Sequence, residues 1–353
     1  MPCAFPMFRL DFERASKVYD FPSSFENRVH NKGVMVNKDE AQYFKELHPL
    51  LSRYIVQVPC GKCIQCRLSY SRDWANRCMA ELKTNPDAIF LTLTYDDDSL
   101  TFAPFADVET GTVDLRPCLV PRDLQLFLKR LRIRCQRDGI ADELRFYACG
   151  EYGETTLRPH YHLIIFGLRL PAKGNHLWRA GDAETPPLWT HTLLTETWPH
   201  GLSCYGQVTW ETCAYTARYV MKKKKGVDRQ AQIKAHELLG LPLWPEEFVR
   251  MSRRPGLGRD FYELKKGVIY ATDEMFVPIK GAITSVRPCR YFDRLYDVEN
   301  HENLSLIKAR RSLAAEQSMA AILARTDLTE EEYLLQKDAA KIDQSRRLVR
   351  PDN

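Results

Sequence analysis

The stretch Arg158-Pro159-His160-Tyr161-His162-Leu163-Ile164-Ile165-Phe166-Gly167 predicts a β-strand that carries two histidines. A proline precedes the run, a glycine ends it, and β-branched and aromatic residues fill it, which is typical of a strand. Because alternate residues of a strand point to the same face, the imidazoles of His160 and His162 should lie side by side. With one carboxylate, such a pair can hold a divalent cation. The simpler alternative is that both are ordinary residues at a sheet edge.

The segment before this strand offers the carboxylate. Residues 144–149 predict another strand, and Gly150-Glu151-Tyr152-Gly153-Glu154 then runs into the turn that precedes the histidines. If the two strands pair antiparallel, a carboxylate near residue 151 returns beside the imidazoles. We therefore expect Glu151 to be the third ligand, with Glu154 as the alternative.

The composition indicates an ordinary globular protein, with 353 residues of which 44% are hydrophobic. Its 51 Lys and Arg against 46 Asp and Glu give a net charge of only +5, too little to indicate nucleic-acid binding by itself. No export signal and no apolar run of about 20 residues is evident, so we expect a soluble protein without a membrane partner. In a reducing compartment its eleven cysteines favour metal binding over disulfides.

Three of the cysteines, Cys60, Cys63 and Cys66, form a C-x2-C-x2-C run at the start of a predicted helix. Thiolates at this spacing can converge on a structural zinc ion, which needs a fourth ligand. We expect Cys78 in that role, with Cys3 as the alternative. The competing interpretation is a group of reduced thiols at a helix end. An iron–sulfur cluster is disfavoured because nothing else in the sequence indicates redox chemistry.

The order of predicted elements indicates an α+β fold with a central antiparallel sheet flanked by helices. Residues 88–95 predict a strand, Pro121 opens an amphipathic helix, and residues 203–210 predict the last strand of the core. We divide the chain into an N-terminal extension with the cysteine cluster and a helix (1–85), a core (86–240), a basic loop with accessory strands and a helix (241–298), and a charged helical tail (299–353). The accessory strands are expected at residues 268–277 and 282–286.

Residues 211–223 predict a helix with two distinct sides. Its small apolar stripe comprises Cys213, Ala214, Ala217, Val220 and Met221, and its other side carries Tyr215, Arg218, Tyr219, Lys222 and Lys223. Tyrosines at this spacing often serve packing, but here the apolar stripe is complete without them. We therefore expect the tyrosines on the open side, among cations suited to phosphate. The later run Ser252-Arg253-Arg254-Pro255-Gly256 is either a phosphate contact or a solvated connector.

Taken in order, three segments resemble the motifs of HUH endonucleases that initiate rolling-circle replication. They are Phe90-Leu91-Thr92-Leu93-Thr94-Tyr95, then Gly150-Glu151-Tyr152-Gly153 with Arg158-Pro159-His160-Tyr161-His162, then Tyr215-Thr216-Ala217-Arg218-Tyr219-Val220-Met221-Lys222-Lys223. The cysteine run, the Met1-Pro2-Cys3 start and Met251-Ser252-Arg253-Arg254-Pro255-Gly256 narrow the resemblance to replication initiators of microviruses of the gokushovirus branch. It covers roughly residues 58–295 and implies a ferredoxin-like nuclease core.

The resemblance implies a role for each candidate residue. Glu151, His160 and His162 would hold Mg2+ or Mn2+, while Tyr215 and Tyr219 would attack DNA to give a 5′-phosphotyrosine and a 3′-OH primer. Lys222 would steady the phenolate or phosphate, and the DNA contacts would be Arg218, Lys223, Arg253 and Arg254.

It also implies partners, namely single-stranded or locally melted viral origin DNA and the host polymerase and helicase, in the cytoplasm of a bacterial host. Two other interpretations stay open. One is a conjugative relaxase or transposase, which explains neither the cysteine run nor the basic loop. The other is a non-catalytic, zinc-stabilised DNA-binding protein.

Overall fold

A computed structural model describes residues 3–153, 156–182, 185–218 and 227–347 of the chain. These residues form two compact units. The first contains the N-terminal residues up to 67 and the C-terminal residues from 311, and the second contains residues 68–310. The division into four segments made from the sequence stays a prediction.

The first unit is built on a three-stranded antiparallel sheet. Its elements are β1 (Met7–Asp11), α1 (Phe12–Ala15), α2 (Ser23–Glu26), β2 (Gly33–Val36), α3 (Lys38–Leu47), a 3-10 turn (Pro49–Tyr54) and β3 (Ile55–Val58), and the strand order is β2-β1-β3. Phe21, Phe25 and Phe44 pack together in its core. Helix α4 (Ile64–Thr84) begins in this unit and continues the chain into the second.

The second unit is organised around a seven-stranded antiparallel sheet. The strands of the whole unit are β4 (Ala88–Thr94), β5 (Phe102–Ala106), β6 (Val113–Pro117), β7 (Arg145–Tyr152), β8 (Pro159–Phe166), β9 (Asn175–Arg179), β10 (Leu188–His191), β11 (Ser203–Gly206), β12 (Phe248–Met251), β13 (Met275–Ile279) and β14 (Ala282–Val286). The sheet order is β12-β7-β8-β4-β11-β10-β9, while β5 with β6 and β13 with β14 form separate hairpins.

Helices cover both faces of this sheet. Besides α4, the helices of this unit include α5 (Pro121–Arg137), α6 (Thr192–Thr197), α7 (Trp210–Arg218), α8 (Val227–Leu238), α9 (Arg259–Thr272) and α10 (Arg290–Glu299). The central strand β8 alternates between two cores: Tyr161, Leu163 and Ile165 pack with α5 and α6, while Ile164 and Phe166 pack with α4, α7, α9 and α10. The expected α+β class, with a large antiparallel sheet flanked by helices, is confirmed.

The charged C-terminal segment is helical, as its composition predicted. It forms α11 (His301–Leu323) and α12 (Glu330–Arg347). Within the part of the chain that the structure describes, no helix has both the length and the apolar composition needed to cross a bilayer.

Two local expectations were wrong. Residues 203–210 do not form the last strand of the sheet. The strand β11 ends at Gly206 and α7 begins at Trp210, and a later strand, β12, joins the sheet by pairing with β7. The strand expected at residues 268–277 begins only at Met275, as β13, because α9 continues to Thr272 and ends at Asp273 in the left-handed conformation. Short apolar runs fit helix and strand equally well by pattern.

Candidate functional site

The two histidines and a glutamate converge at one end of the β7–β8 pair. The strands are antiparallel and Glu151 lies directly opposite His160. Oε1 of Glu151 is 2.5 Å from Nε2 of His160 and 3.0 Å from Nε2 of His162. One candidate ligand atom from each of the three residues lies within 4.8 Å of the others, so they form a group able to hold a metal ion. Glu154, the alternative ligand, lies outside the described residues.

The other nitrogen of each imidazole is oriented by a second contact. His160 Nδ1 lies 3.1 Å from the carbonyl oxygen of Arg158, and His162 Nδ1 lies 3.0 Å from Oγ1 of Thr92. A carbonyl only accepts, so if a metal occupied Nε2 of His160, the proton of the neutral imidazole would be on Nδ1, where the carbonyl of Arg158 accepts it. The role of Thr92 was missed in the sequence. It follows only from the strand register, in which Thr92 of β4 faces His162 of β8.

Glu151 is a buried carboxylate with spare capacity to bind. It is 1% exposed, and its Oε2 has no hydrogen-bond partner within the described chain. Burial opposes ionisation, but the contacts from His160 and His162 hold the pKa of Glu151 below its ordinary value. A buried oxygen without a partner is costly, and a divalent cation would satisfy it. The mixed imidazole and carboxylate set therefore fits Mg2+ or Mn2+, although imidazole also accepts zinc.

Helix α7 brings a tyrosine to this cluster. Its buried residues Cys213, Ala214 and Ala217 pack into the core, as the apolar stripe predicted. Tyr215 is 40% exposed, and its ring lies edge-on to His162 at a centroid distance of 5.2 Å. The tyrosine thus lies on the open side, beside one of the two histidines.

Of the cations expected around the tyrosines, Arg218 is exposed at the end of the described part of α7. Tyr219, Lys222 and Lys223 lie outside the described residues, and so do Val220 and Met221 of the apolar stripe. Their expected roles stay predictions.

The basic loop is fixed by its backbone while its arginines face solvent. Arg253 and Arg254 are exposed. The carbonyl of Pro255 accepts a hydrogen bond of 3.0 Å from Nη2 of Arg145, and Nε of the same arginine lies 2.7 Å from a carboxylate oxygen of the fully buried Glu81. The backbone of the loop is therefore anchored, and contact of its arginines with phosphate stays a prediction.

Four thiols form a second cluster, in the first unit: Cys3, Cys60, Cys63 and Cys66. Their sulfur atoms are 3.9 Å apart between Cys3 and Cys63, 4.0 Å between Cys60 and Cys66, and 3.5 Å between Cys3 and Cys66. With Zn–S bonds of about 2.3 Å, a tetrahedral site has sulfur–sulfur edges of about 3.8 Å. The cluster has the dimensions of such a site.

The leading choice of fourth thiol was wrong. Cys78 is fully buried in the hydrophobic core of the second unit, where its thiol contacts that of Cys213. Cys3, the alternative, is the thiol that joins the cluster. Sequence spacing could not decide between them, because the choice depends on which segment folds back onto the cysteine run.

Backbone amides also point at the cysteine cluster. The N–H groups of Lys62 and Cys63 each donate to Sγ of Cys60 at 3.3 Å, and that of Cys60 donates to Sγ of Cys3 at 3.3 Å. Burial opposes ionisation of Cys60, but these amides bring the pKa of its thiol below the ordinary value. Amide donors stabilise the thiolate form that binds metals.

The central part of the chain matches a protein-family model. Residues 88–224 match the family model described as Replication-associated protein ORF2/G2P. The matched segment contains the whole histidine–glutamate cluster and Tyr215, so the candidate site lies within the part of the chain that matches this family.

Three individual replication-associated proteins are similar to the chain. The chain is 32% identical over 301 residues to Replication-associated protein ORF2 of Spiroplasma virus 4, covering 83% of this chain and 86% of the relative. It is 36% identical over 170 residues to Replication-associated protein VP4 of Bdellovibrio phage phiMH2K, covering 47% and 48% of the two chains. It is also 26% identical over 284 residues to Replication-associated protein ORF4 of Chlamydia phage 1, covering 71% and 67%. The chain belongs to the microvirus replication-associated proteins. No solved structure matches it.

Proposed function

We propose that the protein initiates rolling-circle replication by cutting and rejoining one strand of viral origin DNA. The observation that carries the proposal is the position of Tyr215, whose ring lies 5.2 Å from that of His162 in the Glu151, His160 and His162 cluster. A phenol beside a candidate cation site is the minimum needed for a metal-assisted tyrosine nuclease.

Glu151, His160 and His162 would hold the cation. Bound Mg2+ or Mn2+ would polarise the scissile phosphate and stabilise the charge that develops on its oxygens. The Nδ1 contacts to Arg158 and Thr92 keep both imidazoles turned toward the shared site.

Tyr215 would supply the nucleophile. Its oxygen bonds to phosphorus as the bond from phosphorus to the 3′ oxygen breaks. The phenol loses one proton and the departing 3′ oxygen gains one. One phosphodiester replaces another without consuming water, so the linkage can be reversed. A free tyrosine has a pKa of about 10, which is why it needs the cation and neighbouring positive charge.

Tyr219 and Lys222 complete the proposal. After one round of synthesis from the 3′-OH by a host polymerase, with a host helicase opening the duplex, Tyr219 would cut the regenerated origin. The released 3′-OH would then attack the first phosphotyrosine and close a single-stranded circle. Lys222 would steady the phenolate or phosphate, and Arg218 and Lys223 would contact the DNA backbone.

The replication-associated relatives favour this function over that of a relaxase or transposase. Against a purely structural role for the histidines, Oε2 of Glu151 is buried without a hydrogen-bond partner among the described residues. Such atoms are few in native proteins and require an explanation, which a bound ion supplies.

We further propose that Cys3, Cys60, Cys63 and Cys66 bind a structural zinc ion. The sulfur separations of 3.5–4.0 Å and the amide groups directed at Cys60 and Cys3 support a tetrahedral thiolate site. In such a site all four positions belong to the protein, so the ion would stabilise the fold and take no part in the nicking reaction.

The nucleophile is tested by incubating the protein with Mn2+ and single-stranded viral origin DNA and separating covalent protein–DNA adducts by denaturing electrophoresis. We expect adducts from wild type, fewer from Tyr215→Phe, and none from the Tyr215→Phe/Tyr219→Phe double variant. Tyr43→Phe, which removes an exposed phenol of the first unit, is the matched control. Adducts from the double variant at the wild-type level would exclude both tyrosines as nucleophiles.

The metal ligands are tested in the same assay. His160→Ala and His162→Ala should form no adduct while still binding the oligonucleotide. The two histidines hold the cation that activates the scissile phosphate, whereas other residues supply most of the affinity for DNA. His176→Ala, on the edge strand β9, should behave as wild type. Adduct formation by wild type in excess chelator would contradict a metal-dependent reaction.

A further inference from the structure

A groove lined by arginines and aromatic rings lies on the same side of the large sheet as the metal cluster. Helix α4 contributes Trp74 and Arg77, the loop after β12 contributes Arg253, and α10 contributes Tyr291 and Arg294. We call this set the arginine groove. It encloses about 490 Å³, a size within the range of about 300–1,000 Å³ typical of ligand sites.

Within the described chain the arginines of the groove form no ion pair. Asp73 of α4 acts on Arg77 only from beyond ion-pair distance, and no carboxylate pairs with Arg253 or Arg294. Arg77 is 8% exposed, and its Nε donates to the carbonyl of Leu257 at 2.7 Å. Because burial removes this guanidinium from water without such a partner, its pKa lies below the ordinary value. An anion is the ligand that would compensate the charge.

Aromatic rings hold the buried guanidinium in place. Its central carbon lies 4.5 Å from the ring centre of Trp74 and 3.7 Å from that of Tyr291. Arginine between aromatic faces, next to further cations, is the combination with which proteins bind single-stranded nucleic acid: the cations meet phosphates and the planar groups stack on bases.

Gly256 in the wall of the groove lets the loop backbone pack directly against Tyr291 and Arg77. A Cβ at Gly256 would lie 2.6 Å from Oη of Tyr291 and 2.7 Å from Nη2 of Arg77. Behind it, the N–H of Gly258 donates to Oε2 of Glu81 at 2.6 Å. The loop is therefore anchored while Arg253 extends into solvent, which makes the groove a fixed feature of the fold.

The groove is close to the candidate nuclease site. Met251, at its edge, pairs with Tyr147 of β7. Tyr147 and Glu151 point to the same face of β7 and are four residues apart, which corresponds to about 13 Å along the strand. One strand of DNA is long enough to occupy both places.

We propose that the arginine groove binds a nucleotide of the same DNA strand whose scissile phosphate lies at the metal cluster, with its phosphate on Arg253 and Arg294 and its base on Tyr291. This site rests on the proposed function for its biological meaning, but its binding is separable from cutting. The groove would increase the affinity of the protein for DNA, whereas the metal cluster and Tyr215 would carry out the cutting.

The test measures binding of a fluorescein-labelled 20-nucleotide oligothymidylate by anisotropy in EDTA, over a series of salt concentrations. For Arg253→Gln/Arg294→Gln we expect at least a tenfold loss of affinity at low salt, and a slope of log Kd against log salt that is shallower by about 1.4 units, or about 0.7 per arginine on a single strand. Tyr291→Leu should lose about tenfold through stacking, with an unchanged slope.

Arg122→Gln is the matched control, because Arg122 is an exposed arginine on α5, which covers the opposite face of the sheet. Equal weakening by Arg122→Gln and by the groove variants would overturn the proposal. So would competition by polyglutamate of equal charge as effective as that by unlabelled oligothymidylate, since that result describes a general anion surface. Unchanged melting temperatures exclude misfolding as the cause of a loss.

Adduct formation separates this proposal from the proposed function. The groove variants should need a higher DNA concentration for half-maximal adduct formation, whereas His160→Ala should form no adduct at any DNA concentration. If wild type forms no adduct but the groove variants still lose binding, the nuclease function is wrong and the groove stands.

Discussion

Thr92 faces His162 across the β4–β8 pair, with its hydroxyl 3.0 Å from Nδ1 of the imidazole. Groups of this kind orient a metal-binding histidine, and their loss typically costs about 10- to 100-fold in metal affinity. We therefore expect Thr92→Val to weaken Mn2+ binding by about that factor, measured by titration calorimetry without DNA.

The control for this change is Thr190→Val on β10, whose hydroxyl contacts the carbonyl of His176 in the same sheet. It should bind Mn2+ as wild type does. Equal affinities for Thr92→Val and wild type would show that His162 does not depend on this hydroxyl for its orientation.

At the scale of secondary structure, Glu81 of α4 joins the helix to β7 and to the basic loop. It is fully buried, lies 2.7 Å from Nε of Arg145 in an ion pair whose N–H is not well aligned, and accepts the N–H of Gly258. Removing one partner of a buried ion pair leaves an uncompensated charge and costs about 3–5 kcal/mol.

Glu81→Ala should therefore lower the free energy of unfolding by about 3–5 kcal/mol in urea denaturation. Glu196→Ala breaks an exposed ion pair with Arg134 and should cost about 0–1 kcal/mol. A Glu81→Ala protein as stable as Glu196→Ala would mean that water reaches Arg145 and that the loop is not anchored through this pair.

The elements with strong local patterns were predictable from the sequence. The helix opened by Pro121 and the hairpin that brings Glu151 beside His160 both follow from period and turn residues within a short window. Strand β12 has only four residues, and nothing within it indicates that it pairs with β7. The same limit applies to Cys3, because pairing across long chain separations depends on global packing rather than on local pattern.

At the scale of the whole molecule, the cysteine cluster ties the start of the chain to the segment before α4. Cys3 and Cys60 are 57 residues apart, so a shared ion closes a long loop and removes much freedom from the unfolded chain. Cys3→Ser should lose bound zinc and lower the melting temperature, measured by elemental analysis and calorimetry.

Cys78→Ser is the informative comparison, since Cys78 was the other candidate for the fourth ligand. It should retain one zinc per chain, because its thiol contacts Cys213 in the core of the second unit. Zinc lost from Cys78→Ser but kept by Cys3→Ser would reverse the choice. A purified wild type without zinc would reduce the cluster to ordinary thiols.

The central position of β8 in the sheet limits which mutations its codons can tolerate. Both histidines lie on a strand of eight residues that is paired on each side, with its alternate residues committed to opposite cores. Losing a single codon within it would turn every later side chain to the wrong face, placing apolar residues where imidazoles belong. We therefore expect viable genomes to vary by substitution here and to accumulate insertions and deletions in the surface connections instead.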